Sequence, residues 1–273
     1  MDSFVGPNML DGQFDFPLYD AIKDSLGTET ASLRSLDDAL TASARAYGKG
    51  TLMSPLIGNH DKGRFMAYAD GELPDPKIEK EEEVGWEKPP SVHDAQNYRK
   101  LEMAQAFLLS DDGVPMIYYG DEFGMTGAGD PDNRRDMRFG DQLSAPEKSV
   151  LADFRKLTAL RYGSRRALLR EDDALAFVRA YLDDRVVVVL NRANAPKTFS
   201  LKVAPEIGSA DVRDLLSGEK IPVNDSAISV AMPALSFVFW RQPRNNYGVV
   251  TGASPSHSAL KCATLIAARL CQV

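Results

Sequence analysis

Cysteine is almost absent from this chain of 273 residues: the two that occur, Cys262 and Cys271, lie in its last dozen positions. No CxxC occurs, so neither a thiolate metal site nor a disulfide framework is expected to hold the fold together. Long hydrophobic runs are lacking too. No stretch approaches the ~18 consecutive apolar residues of a membrane-spanning helix. The opening segment MDSFVGPNML has no basic region followed by an apolar one, so no signal peptide is expected. Basic residues are in deficit: 32 Lys and Arg against 39 Asp and Glu leave a net charge of -7. A nucleic-acid-binding surface needs a basic stripe, and none is visible. Nucleic acid and membrane are therefore not expected partners, and localisation is left open.

Hydrophobic residues, by contrast, make up 44% of the chain, enough for a sizeable core, and the length suits one or two domains. From residue 1 to about 160, short apolar runs alternate with helical patterns. GQFDF (12–16), TLMSPLIGN (51–59) and VPMIYYG (114–120) are strand-like. PLYDAIKDSL (17–26) opens on a proline suited to a first helical turn. SLRSLDDALTASARAYG (32–48) spaces Leu33, Leu36 and Leu40 on one face and stops at glycine. NYRKLEMAQAFLLSDD (97–112) puts Leu101, Ala104, Phe107 and Leu108 on one face, and residues 145–163 form a further helix. This order implies βα units on a parallel sheet, whose ligand sites lie beyond the carboxyl ends of the strands. The charged, proline-bearing stretch 69–94 reads as a long surface excursion, with Trp86 as its one candidate for stacking on a ligand.

Residues 171 to 242 change character: short β-rich runs separated by turn residues read as a small antiparallel sandwich, with Trp240 packing in its last strand. The remainder, 243–273, matches neither pattern and reads as an atypical, foreign or disordered tail with one weakly amphipathic stretch.

Two constellations could carry chemistry. In LIGNHDKGRF (56–65) an apolar run stops on Asn59, His60 and Asp61. An aspartate at a strand end can act as base, nucleophile or electrostatic stabiliser, or His60 and Asp61 can simply satisfy each other. In 113–139 a strand ends on Asp121 and Glu122 and runs into a glycine-rich loop holding Asp130, Asp132, Asn133, Arg134 and Arg135. It lacks the G-K-[ST] ending of a phosphate loop, and its spacing and Arg134 exclude an EF-hand. Carboxylates and forked donors suit a ligand rich in hydroxyls, although the loop could equally be stitched by its own salt bridges. No metal or cofactor is expected.

Together, GQFDFPLYDAI, LIGNHDKGRF and GVPMIYYGDEFGMTGAGDPDNRR resemble the α-amylase family of glycoside hydrolases, family 13, matching the sixth to eighth βα units of its (β/α)8 barrel in order, over about residues 4 to 242. The resemblance implies an α/β plus all-β chain: a partial TIM barrel over 1–165, a C-terminal β-sandwich over 166–242, and the tail. It implies that His60 and Asp61 hydrogen-bond the sugar at the cleavage point. Asp61 would be the transition-state stabiliser, and Asp130 and Arg134 would hold a sugar further along. Glu122 would shape its loop. The substrate implied is an α-glucan such as starch or malto-oligosaccharides.

A retaining glycosidase needs two carboxylates about 5 Å apart. The family places its nucleophile aspartate and acid/base glutamate after strands four and five, with any calcium site in an inserted domain. All are expected to lie upstream of the units matched here. Weak or no activity is therefore expected of the isolated chain. Self-association through open barrel edges, or a complementary chain, would complete it. A second copy could bring Asp15, Asp20, Asp121 or Glu122 to Asp61. The alternative is a non-catalytic glucan-binding or structural module, with Tyr118, Tyr119 and Trp86 stacking on sugars.

Overall fold

The computed structural model describes residues 4–6, 8–48, 51–73, 81–158, 163–182, 184–208 and 211–242; the tail 243–273 lies outside the described residues. Helix α1 spans Phe16–Ile22, with the Asp15 carboxylate accepting from the Leu18 N–H at 3.0 Å and Pro17 in its first turn. It runs on through one π-turn, Lys23–Gly27. Helix α2, Leu33–Tyr47, is capped by Ser32 and stopped by Gly48 at φ +76°, a conformation glycine adopts without strain. Two short helices come next, α3 (Phe65–Ala69) and α4 (Glu81–Glu87). Helix α5 is Tyr98–Leu108 and α6 is Ala145–Leu157, the latter opened by a Ser144/Glu147 capping box.

The three strand-like runs lie side by side, parallel and in chain order, but as single bridges: Phe14 with Ser54, and Leu56 with Met116. Hydrogen bonds from Asp15 N–H to Ser54 O, Val114 N–H to Met53 O and Met116 N–H to Pro55 O, each 2.9 Å, keep this register. Pro55 and Pro115 lack the N–H a longer ladder would use, which is why order and direction match expectation while extent does not. The excursion 69–94 also differs from the expected bare loop, because it contains α4.

The named strands that follow are antiparallel. Strands β1 (Ser164–Arg170), β2 (Ala174–Tyr181), β3 (Asp184–Asn191), β4 (Lys197–Lys202), β5 (Val212–Asp214), β6 (Lys220–Ile221), β7 (Ala227–Met232) and β8 (Ser236–Arg241) form a six-stranded sheet, β1-β2-β3-β8-β5-β6, and a β4–β7 pair. β1 goes beyond the expected set, since three arginines in SRRALLR hide its pattern. One of them, Arg165, lays its guanidinium 4.2 Å from the Phe177 ring centroid.

The six-stranded sheet is covered on both faces. Phe177, Val186, Val188, Leu190, Phe237 and Phe239 join Leu18, Leu33, Leu36, Leu101, Ala104, Phe107 and Leu108 of the helices in one core. On the opposite face Ala176, Val178, Val187, Val189 and Trp240 pack with Phe199, Leu201, Ile228 and Met232 of the β4–β7 pair. Alternate residues serve alternate faces, so ALAFV of β2 and VVVVL of β3 read as unbroken apolar runs.

Candidate functional site

The middle parallel segment ends at Gly58. Its chain then makes a tight turn carrying Asn59, His60, Asp61 and Lys62 before α3 begins at Phe65. Asn59 is buried and turns its amide oxygen onto the Asp61 N–H at 2.8 Å. This local bond turns the backbone outward and leaves His60 and Asp61 in solvent, 64% and 63% exposed, with Nε2 to Oδ1 at 3.2 Å.

The loop after the third segment meets this turn from the other side. The buried Asn133 side chain donates from Nδ2 to the carbonyls of His60 and Lys62, 2.9 Å each. Arg134 donates to the same His60 carbonyl from Nε (3.3 Å) and Nη2 (3.2 Å), and its Nη2 lies 3.1 Å from Asp130 Oδ2. The four residues singled out from the sequence, His60, Asp61, Asp130 and Arg134, are thus brought to one surface, with Arg134 bridging the two loops.

Beneath them lies a residue whose role sequence reasoning missed. Arg64 is fully buried, and its Nε donates to Asn133 O at 2.8 Å. Its Nη1 donates to Tyr119 O and lies 3.2 Å from Asp121 Oδ1, while its own N–H donates to Gly127 O at 2.9 Å. The guanidinium carbon stands 4.0 Å from the Tyr118 ring centroid and 4.6 Å from that of Tyr119. These half-buried tyrosines, which the alternative binding-module reading would stack on sugars, both lie against Arg64. The roles of Asn133 and Glu81 were missed as well. Glu81, at the start of α4, accepts from the Gly63 N–H at 2.8 Å and from the Tyr68 hydroxyl. The available signal was a lone arginine flanking the apolar stretch FMAYA, and an asparagine among charges in DPDNRR.

Burial raises the Asp121 carboxyl to about 7, an effect that Arg64 opposes without cancelling. Burial also raises the Glu122 carboxyl, opposed by the nearby backbone at Glu122 and Gly120. Asp15 and Asp121 are buried, the former as the α1 cap, so neither is available for a second copy to present to Asp61. Asp20 remains exposed beside Lys23. Trp86 is 75% exposed on α4. Among the described residues no cluster of three His, Cys, Asp or Glu side chains forms a metal-binding group.

Residues 1–159 match the model of the α-amylase catalytic domain, and residues 166–239 that of the maltogenic amylase C-terminal domain. The chain is 31% identical over 207 residues to a cyclomaltodextrin glucanotransferase of Bacillus licheniformis, covering 75% of this chain and 25% of that protein. It is 34% identical over 193 residues to neopullulanase 2 of Thermoactinomyces vulgaris, covering 68% and 28%. Among solved structures, an Anoxybacillus α-amylase superposes with a TM-score of 0.68 at 22% identity, over 85% of this chain and 47% of that one. The chain spans about a quarter of the length of these two curated relatives.

Proposed function

Because this chain belongs to the α-amylase catalytic-domain family, we propose that the His60 turn and the 130–134 loop form the substrate-holding side of an α-glucan site. His60 and Asp61 hydrogen-bond neighbouring hydroxyls of one sugar ring. The negative charge of Asp61 favours the oxocarbenium-like transition state of glycosidic cleavage. Asp130 and Arg134, a donor–acceptor pair 3.1 Å apart, hold a sugar further along the chain. The observation that carries this reading is the exposed His60–Asp61 pair on a turn whose backbone is held by three side chains, those of Asn59, Asn133 and Arg134. Freely rotating surface groups would show no such seating.

Retaining cleavage also needs a nucleophile and a general acid about 5 Å apart. The family resemblance assigns both to other barrel units. The isolated chain should therefore bind malto-oligosaccharides and hydrolyse them orders of magnitude more slowly than a chain carrying all three carboxylates. Completion by a second copy or a complementary chain is supported by Phe14, Leu52 and Val114, which are exposed on the parallel segments.

The test is reducing-sugar release from soluble starch by the parent and by Asp61→Asn, together with retardation of both on a starch gel. Retardation of the parent that weakens in the variant supports the reading. Absence of both release and retardation overturns it. Retardation untouched by Asp61→Asn favours a binding module that uses other residues, with Trp86 the first to substitute.

A further inference from the structure

The side chain of Asn133 is buried, yet both N–H groups of its amide go to the backbone of another loop, at His60 O and Lys62 O. These two carbonyls flank Asp61. A single planar amide holding two carbonyls two residues apart fixes the peptide planes between them, and with them the direction in which the Asp61 Cβ leaves the backbone. Asn133 is itself seated from below, because its own carbonyl takes the Nε–H of the buried Arg64 at 2.8 Å. Arg64 in turn is held by Asp121, by the Tyr119 carbonyl and by two aromatic faces. The chain of contacts Arg64–Asn133–His60/Lys62 therefore runs from a water-free ion pair to the exposed pair at the surface.

We propose that Asn133, seated by Arg64, is the positioning residue of the His60–Asp61 pair, acting through the main chain of the turn and not through any contact with sugar. This rests on the functional reading above, and it adds which buried residue of the facing loop sets the geometry of that site. The cost of losing such a residue is asymmetric. The Lys62 carbonyl would lose its Asn133 donor while the His60 carbonyl kept those of Arg134, and the turn would relax to find another partner for the first.

The full chain decides the matter by two readouts on Asn133→Ser. The first needs no ligand: amide hydrogen exchange at Asp61 and Gly63, with Leu108 in the core of α5 as reference. Exchange faster by about tenfold or more at Asp61 and Gly63, with Leu108 unchanged, is expected of a local opening. The second is maltotetraose binding by calorimetry, in a double-mutant cycle with Asp61→Ala. Asn133→Ser should weaken binding about tenfold, the scale of one or two net hydrogen bonds, and should add almost nothing once Asp61 is gone. A merely structural asparagine would give additive losses and uniform exchange, and either result overturns the proposal. If the parent fails to bind maltotetraose, the functional reading falls, and the exchange readout alone decides the positioning role. Should Asn133→Ser not fold, Asn133→Asp keeps the volume, removes the donors and carries the same two measurements.

Discussion

Arg64 and Asp121 form an ion pair from which water is excluded: Nη1 stands 3.2 Å from Oδ1, with side-chain exposures of 0% and 2%. Arg64 comes from the turn after the middle parallel segment and Asp121 from the end of the third. A buried pair of this kind adds little net stability over an apolar replacement, but removing one partner alone costs about 3–5 kcal/mol. Its consequence here is placement, because the same guanidinium also holds the carbonyls of Tyr119 and Asn133.

The pair gives the protein a pH signature. Asp121 is raised from its ordinary 3.8 to about 7 on folding. Between those values the folded chain holds a proton that the unfolded chain has lost, so stability falls as pH rises through the window and levels off above it. Urea denaturation at pH 5 and pH 8 should show the parent less stable at the higher pH. Asp121→Asn should reduce that difference. Glu102, Asp111 and Glu122, raised by burial in the same direction, leave a residual slope. A parent more stable at pH 8 than at pH 5 would contradict the assignment.

Gly58 is tied to the same pair. A Cβ there would lie 2.6 Å from Asp121 Oδ2 and 3.1 Å from Oδ1. The carboxylate is short, buried and held by Arg64, so it cannot yield without loosening that contact. Gly58→Ala should lower stability by about 1–3 kcal/mol, the usual range for overpacking. Thermal denaturation reads the change, and an unaltered midpoint would mean that the carboxylate has room to move.

The helices and the six-stranded sheet share one core, in which the rings of Phe107 and Phe177 meet edge to face at 6.5 Å. A single calorimetric transition is expected for both layers. Phe177→Ala should cost about 3–5 kcal/mol and lower the midpoint of the whole transition. Separation into two transitions would show that the layers fold independently.

Helix α6 starts on a reciprocal cap: Ser144 N–H donates to Glu147 Oε2 at 2.7 Å, and Glu147 N–H to Ser144 Oγ at 3.4 Å. Ser144→Ala should cost about 1 kcal/mol in chemical denaturation. Glu147→Ala should cost more, since Glu147 also accepts from Arg138 at 3.1 Å. Equal losses would show that the Arg138 contact is inert.

The order of elements was legible because periodicity and caps are local. Leu33 and Leu36 of α2, and Leu101, Ala104, Phe107 and Leu108 of α5, are buried where their spacing places them. The turn at Asn59 was legible because an apolar run ended on three polar side chains. Arg64 was not, because nothing in KGRF distinguishes a guanidinium enclosed by two tyrosines and an aspartate from one in water. Helix α4 was hidden by its charge, its role resting on one carboxylate of Glu81 that reaches Gly63 across 18 positions.

The sequence by itself determined the family, the parallel order of the three opening segments and the antiparallel character of the C-terminal strands. Motif residues and hydrophobic period are properties of neighbours along the chain. Only the tertiary structure decided which polar groups are spent inside and which face outward. Asn133, Arg64 and Asp121 lie within a few positions of Asp130, Arg134 and Asp61 or at the end of the strand that leads to them, and Arg64 and Asp121 carry the same guanidinium and carboxylate groups as the exposed residues. The packing of one loop against another buries the first three and leaves the others on the surface.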